Sequence, residues 1–201
     1  VLLMAGDAKK RVLAPDDPLF GHAGTVTALE YAEDEDGFQF HFGTDGNGYD
    51  AIITPDGGSR NQVSISSFEQ YDFEGKLINR METRMKGMDV FSFGISTAPR
   101  TVKKLAEYYS FDYFDHDYYI FHQANMKMNN MIVKKLKLPV EKVPSCMYHF
   151  GNTSSASIPL TIVSEIKGKC ENKETKFLCC GFGVGLSWGT VRFTTKDLII
   201  S

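Results

Sequence analysis

Phe121-His122-Gln123-Ala124-Asn125 closes the apolar run that begins at Tyr118 and opens a pattern in which Met128, Ile132, Val133 and Leu136 recur at near-helical spacing. A buried strand that turns directly into a helix is the repeating unit of a layered α/β fold. The same junction recurs downstream. Gly151-Asn152-Thr153-Ser154-Ser155-Ala156-Ser157 leads into a helix expected from Ser154 to Ile166. Strands are expected at Phe177 to Cys180 and at Ser187 to Phe193, joined by a tight turn, Gly181-Phe182-Gly183-Val184-Gly185.

Working outward, Asp89 to Phe93 reads as a short strand or extended lead, followed by a helix from Thr97 to Tyr109 with Pro99 tolerated in its first turn. Between Gly43 and Gly75 the composition shifts to glycine, aspartate, asparagine and serine. Ile52, Ile53, Val63 and Ile65 are interspersed there, which marks an ordered insertion. Phe38-Gln39-Phe40-His41-Phe42 alternates strictly, the pattern of a strand with one buried face. Val1 to Asp7 and the glycine-punctuated stretch Phe20 to Tyr31 read as two strands that pair, separated from the rest by the acidic break Glu33-Asp34-Glu35-Asp36-Gly37. The chain opens mid-element, so its first residue is not expected to be a natural beginning. Three regions result: 1–36, terminal strands; 37–87, a strand and the insertion; 88–201, an α/β unit.

With 201 residues, 42% hydrophobic and 23% charged, the chain can bury a substantial core. A formal net charge of -3 gives no general drive toward nucleic acid. Its apolar runs are strand-sized, far below the roughly twenty residues that span a bilayer, and no secretory signal is visible. A cytoplasmic location is expected. Short basic clusters occur at Lys9-Lys10-Arg11 and Lys103-Lys104. Cys146, Cys170, Cys179 and Cys180 form neither a disulfide framework nor a metal-ligand spacing, so reduced, structural thiols are expected and no metal site.

His122 sits at the carboxyl end of a strand, where open α/β sheets collect functional groups. An imidazole there can exchange a proton or donate to a developing oxyanion, and it can equally be a strand-end histidine satisfied by the backbone. Asn152 reads first as a helix cap or turn former, although Gly151 and the small residues after it permit a close approach. The 181–185 turn lacks the lysine and following helix of a phosphate loop, yet its backbone amides can face an oxyanion.

At these residues the chain resembles the β-ketoacyl-acyl carrier protein synthase III family of the thiolase superfamily. Five segments carry the resemblance in order: Phe20-Gly21-His22-Ala23-Gly24-Thr25, Met88-Asp89-Val90-Phe91, His122-Gln123-Ala124-Asn125, Gly151-Asn152 through Pro159, and Gly181-Phe182-Gly183-Val184-Gly185-Leu186-Ser187-Trp188-Gly189. The resemblance implies a thiolase-like layered α/β fold, represented by the end of its first half and its complete second half. It implies a Cys-His-Asn triad in which His122 and Asn152 are the last two members and the nucleophilic cysteine belongs upstream of Val1. None of the four cysteines is expected to replace it. Phe182, Gly183 and Val184 match the oxyanion turn, Val184 standing where many members have glycine, and Asn125 matches a residue lining the site. His22 stands where an aspartate is common.

Lys127, Lys134 and Lys135 match basic positions used to dock the acidic acyl carrier protein, against the plainer reading of a solvated helix face. The resemblance further implies decarboxylative condensation of an acyl-coenzyme A-derived acyl group with malonyl-acyl carrier protein, and no permanently bound cofactor. It also implies a homodimeric parent. This chain alone is expected to be inactive in condensation, and either to self-associate or to pair with a chain carrying the nucleophile. Two alternatives stand: an acyltransferase acting on an alcohol or amine with His122 as base, and a non-catalytic carrier-protein-binding module.

Overall fold

The computed structural model describes residues 1–7, 19–33, 37–196 and 198–201. The cluster Lys9-Lys10-Arg11 and the centre of the acidic break, Asp34-Glu35-Asp36, lie outside the described residues. Strands β1 (Leu2–Asp7) and β2 (Ala23–Ala28) pair antiparallel, as the two opening runs predict. β3 (Gln39–Thr44) departs to a different sheet.

The 43–86 region includes the 43–75 stretch read from sequence as an insertion. It contains β4 (Ile52–Ile53), β5 (Tyr71–Phe73), β6 (Lys76–Ile78) and β7 (Arg84–Met85), paired β4 with β7 and β5 with β6. Asp56, only 7% exposed, ties it together: its carboxylate takes two hydrogen bonds from Arg80, at 2.8 and 2.9 Å, and one from Ser67 at 2.8 Å. These partners hold the Asp56 carboxyl below the usual aspartate range.

One expectation fails at α1 (Gly87–Tyr108), which absorbs the supposed strand at Asp89 to Phe93 and puts Pro99 well inside a helix. Phe91, Ile95, Ala98, Val102 and Leu105 lie on one helical stripe, and that longer period overrides the local strand character of five residues. Proline in a helix leaves the carbonyl four residues earlier without its N–H partner. Here that carbonyl belongs to Ile95, and Lys135 Nζ donates to it at 3.0 Å.

The remaining elements are β8 (Tyr118–Phe121), α2 (Met126–Leu136), α3 (Met147–Phe150), α4 (Ser157–Glu165), β9 (Thr175–Gly183) and β10 (Ser187–Thr195). The helix expected from Ser154 begins instead with a 3-10 turn, Ser154–Ala156. The main sheet runs β3-β10-β9-β8, with only β8 and β9 parallel. Helices α1 and α2 cover one face and α4 the other. That explains the continuous apolar character of β8 and β9. Tyr119, Phe121, Leu178 and Cys180 pack with Met128, Ile132 and Leu136 on the α1/α2 side, while Ile120, Phe177 and Cys179 pack with Ile166 on the α4 side.

β3 shows the expected alternation, but its phenylalanines occupy the more open face. His41 turns toward α1, its Nδ1 2.7 Å from Thr101 Oγ1, and Thr190 donates to the same hydroxyl at 3.0 Å. The rings of Phe38, Phe40 and Phe42 stack along the other side and continue into Phe193 and Phe177 across the sheet.

Candidate active site

Each residue of the turn after β8 has a separate task. His122 extends the ladder by donating its backbone N–H to Cys180 O at 2.8 Å, so its ring stands at the strand end. Gln123 is 1% exposed and points inward, donating to Phe121 O at 2.7 Å and accepting from Ser145 Oγ at 2.7 Å. Asn125 caps α2, its Oδ1 accepting from Met128 N at 2.9 Å. Ala124 N and Asn129 Nδ2 both donate to His122 O, at 2.9 and 3.1 Å, which closes the turn.

The His122 ring is gripped on two sides. Ser157 Oγ lies 2.8 Å from Nδ1, and the Phe182 ring meets the imidazole edge-on with centroids 5.5 Å apart.

Asn152 arrives from the opposite direction. Its N–H donates to Leu19 O at 2.8 Å and its carbonyl accepts from Gly21 N at 3.0 Å, a parallel bridge between two segments far apart in sequence. Gly21 and Gly151 make that approach possible: a side chain on Gly21 would collide with the Phe150 carbonyl, and Gly151 has φ 64 with the Leu19 carbonyl beside it. The Asn152 side chain, 9% exposed, is oriented by Ser154 N, which donates to its Oδ1 at 2.9 Å. Its Nδ2 reaches Ala124 O at 3.5 Å, and no second acceptor for that amide exists among the described residues. The turn-forming role and a donor role are therefore compatible in one side chain.

The structure thus brings together His122, Asn152, Asn125 and Phe182, with Gly183 next along β9. Val184 stands further out at the hairpin tip, 60% exposed, its carbonyl taken by Ser187 Oγ at 2.7 Å. Lys127 and Lys134 are exposed on α2, as a docking face requires. Lys135 is exposed too, but its ammonium is engaged by the Ile95 carbonyl. Ser157 was not singled out from sequence. Its position five residues after Asn152, one turn into the small-residue segment, was the available signal.

All four cysteines are free and buried. Burial pushes each thiol up, Cys180 to about 12, and Cys146 is held under α4 with its sulfur accepting from Thr161 Oγ1 at 3.2 Å. Thiols so raised stay protonated near neutrality and are poor nucleophiles. Among the described residues no cluster of histidine, cysteine or acidic side chains is placed to hold a metal, and no helix is long and apolar enough to cross a membrane.

A mixed sheet between helices, with a histidine at a strand end and an asparagine from a glycine-opened turn meeting at Ala124, is a thiolase-like arrangement. The family model "3-Oxoacyl-[acyl-carrier-protein (ACP)] synthase III C terminal" matches residues 110–194. The putative 3-oxoacyl-[acyl-carrier-protein] synthase 3 of Campylobacter jejuni is 30% identical over 98% of this chain and 56% of its own length. A β-ketoacyl-[acyl-carrier-protein] synthase III of Clostridioides difficile is 30% identical over 94% of this chain and 56% of its length. The crystal structure of the 3-oxoacyl-(acyl-carrier protein) synthase of Burkholderia xenovorans superposes with a TM-score of 0.85 at 34% identity, over 99% of this chain and 57% of that one. The chain belongs to the synthase III family of the thiolase superfamily. It spans a little over half the length of these relatives.

Proposed function

We propose that the chain provides the histidine and asparagine of a 3-oxoacyl-acyl carrier protein synthase III-type condensing site, in the elongation of an acyl thioester during fatty acid synthesis. In that reaction the bond between the malonyl methylene carbon and its carboxylate breaks and carbon dioxide leaves. The electron pair moves into the thioester, whose oxygen becomes enolate-like, and His122 and Asn152 donate hydrogen bonds to that oxygen. The enolate carbon then attacks an acyl group carried as a thioester on a cysteine. A carbon–carbon bond forms and the cysteine thiolate is expelled. The protonated, buried state of the four thiols here is why we assign that cysteine to a polypeptide segment other than the described residues. Acyl-coenzyme A and malonyl-acyl carrier protein are the substrates, without a permanent cofactor, and Lys127 and Lys134 form the carrier-protein docking face with Lys135 at its edge. The parent assembly is a homodimer on this reading.

The observation that carries the reading is the convergence of His122 and Asn152 on one turn, with the Asn152 amide at Ala124 O and the His122 ring at Ser157. Two donors fixed before charge develops are worth roughly a hundredfold or more each in rate. The test is carbon dioxide release from malonyl-acyl carrier protein by this chain mixed with the nucleophile-bearing half of a synthase III relative. Release should fall at least about a hundredfold in His122→Ala and in Asn152→Ala. Release unaffected by both substitutions sinks the reading. Ester or amide formation in its place supports transfer to an alcohol or amine, and carrier-protein binding lost in Lys134→Glu without any release supports the binding module.

A further inference from the structure

We infer that Ser157 is a positioning residue that fixes His122 in the Nε2–H tautomer, making it a hydrogen-bond donor and not a resting general base. The inference rests on the condensing role just proposed for His122, and it decides how the imidazole serves it.

Ser157 is 1% exposed, and its hydroxyl has one hydrogen-bonding partner among the described residues, His122 Nδ1 at 2.8 Å. A serine hydroxyl has one proton to give and two lone pairs to receive with. Consider the two ways of filling this contact. If Nδ1 carried the imidazole proton, it would donate to Ser157 Oγ, and the serine proton would be left buried without an acceptor. An unsatisfied buried donor is disfavoured by far more than a bond reversed in direction. If Ser157 donates to Nδ1, every polar atom of the pair is satisfied. A neutral imidazole whose Nδ1 accepts must hold its proton on Nε2.

The backbone reinforces the assignment. Ser157 opens α4, and its own carbonyl is engaged by Thr161 Oγ1 at 2.8 Å, so the first turn of the helix is pinned where the hydroxyl meets the ring. The edge-on contact with Phe182 packs the ring from a second direction, with centroids 5.5 Å apart.

The chemical consequence is selective. A donor Nε2–H, acting with the Asn152 amide in the role proposed above, stabilises negative charge growing on a thioester oxygen. It cannot take a proton from an alcohol or amine at that nitrogen without first losing its own. Ser157 therefore favours decarboxylation over base-assisted acyl transfer.

The test needs no turnover. In the chain labelled with 15N-histidine, two-bond proton–nitrogen correlation spectra report the tautomer of each ring, and the five histidines are resolved by loss of one pattern in His122→Asn. His122 should show a protonated Nε2 and an unprotonated Nδ1 displaced upfield by the bond it accepts. In Ser157→Ala that Nδ1 resonance should move downfield toward a free imidazole nitrogen, and Ser157→Cys should fall between the two. A protonated Nδ1 in the unmodified chain overturns the inference, whether or not any variant folds, and so does an Nδ1 resonance unmoved by Ser157→Ala. If the tautomer is as expected while the carbon dioxide assay fails, the inference about Ser157 survives and the condensing role does not.

Discussion

His116 is 4% exposed, with its ring against Phe111 and Tyr119 and its Nδ1 3.2 Å from the Tyr113 carbonyl. Burial, with a smaller contribution from the nearby Arg192 charge, lowers its pKa to about 4 despite the Tyr113 contact. The unfolded chain takes up this proton near pH 6.5 and the folded chain only near 4, so between these values the unfolded state binds more protons. Stability is therefore fully present above pH 6.5 and declines as pH falls toward 4, by up to about 3 kcal/mol. Denaturant unfolding at pH 7.5 and 4.5 checks this. The unmodified chain should lose more stability between the two than His116→Phe, and equal losses would refute the assignment. The sequence did not mark His116, because nothing local distinguishes a sealed histidine from an exposed one. The turn positions of His122 and Asn152 were legible for the opposite reason: a buried strand ends just before the first and Gly151 marks the second. Ser157 was obscured among small residues because its role depends on a ring 35 positions away.

Among the elements, α1 and α2 are coupled by the Ile95 carbonyl that Pro99 leaves without its N–H and the Lys135 ammonium that donates to it. Removing the ammonium with Lys135→Met should cost about 1 kcal/mol. In a Pro99→Ala background the helix regains its own N–H for Ile95 O, and the same change should cost close to nothing. A double-mutant cycle by chemical denaturation measures the difference, and equal costs in both backgrounds would remove the structural role of Lys135. This also limits how freely Lys135 can meet a carrier protein. Strand and helix identities after residue 110 were readable because β8 and β9 centre on short unbroken apolar runs and α2 keeps a helical spacing. The misreading of Asp89 to Phe93 came from judging five residues without the stripe that runs on to Leu105. The face of β3 was unreadable in principle: alternation gives a period, and which side is covered depends on the polar contact His41 finds at Thr101.

At the scale of the whole molecule, Phe42 is 71% exposed, Val26 65%, Leu3 52% and Phe40 45%, all on a continuous apolar surface running from β1 and β2 to β3. A surface of this kind drives association. The chain by itself should elute above monomer size and bind an environment-sensitive hydrophobic dye. Phe40→Lys combined with Phe42→Lys should reduce both, and a monomeric, dye-silent unmodified chain would contradict the expectation. Relatives nearly twice as long have further polypeptide with which to cover such a face. The strand order of the main sheet sets a timetable as well. β10 lies between β3 and β9, and the hydrogen bond from Thr44 to Leu186 spans 142 positions. A ribosome therefore delivers β3, the helices α1 and α2 and the His122 turn long before β10. Such long-range pairing is slow to form and leaves apolar surface uncovered meanwhile. The complete sheet waits on β10, and the His122–Cys180 bond that orients the imidazole waits on β9, each made long after the element it joins.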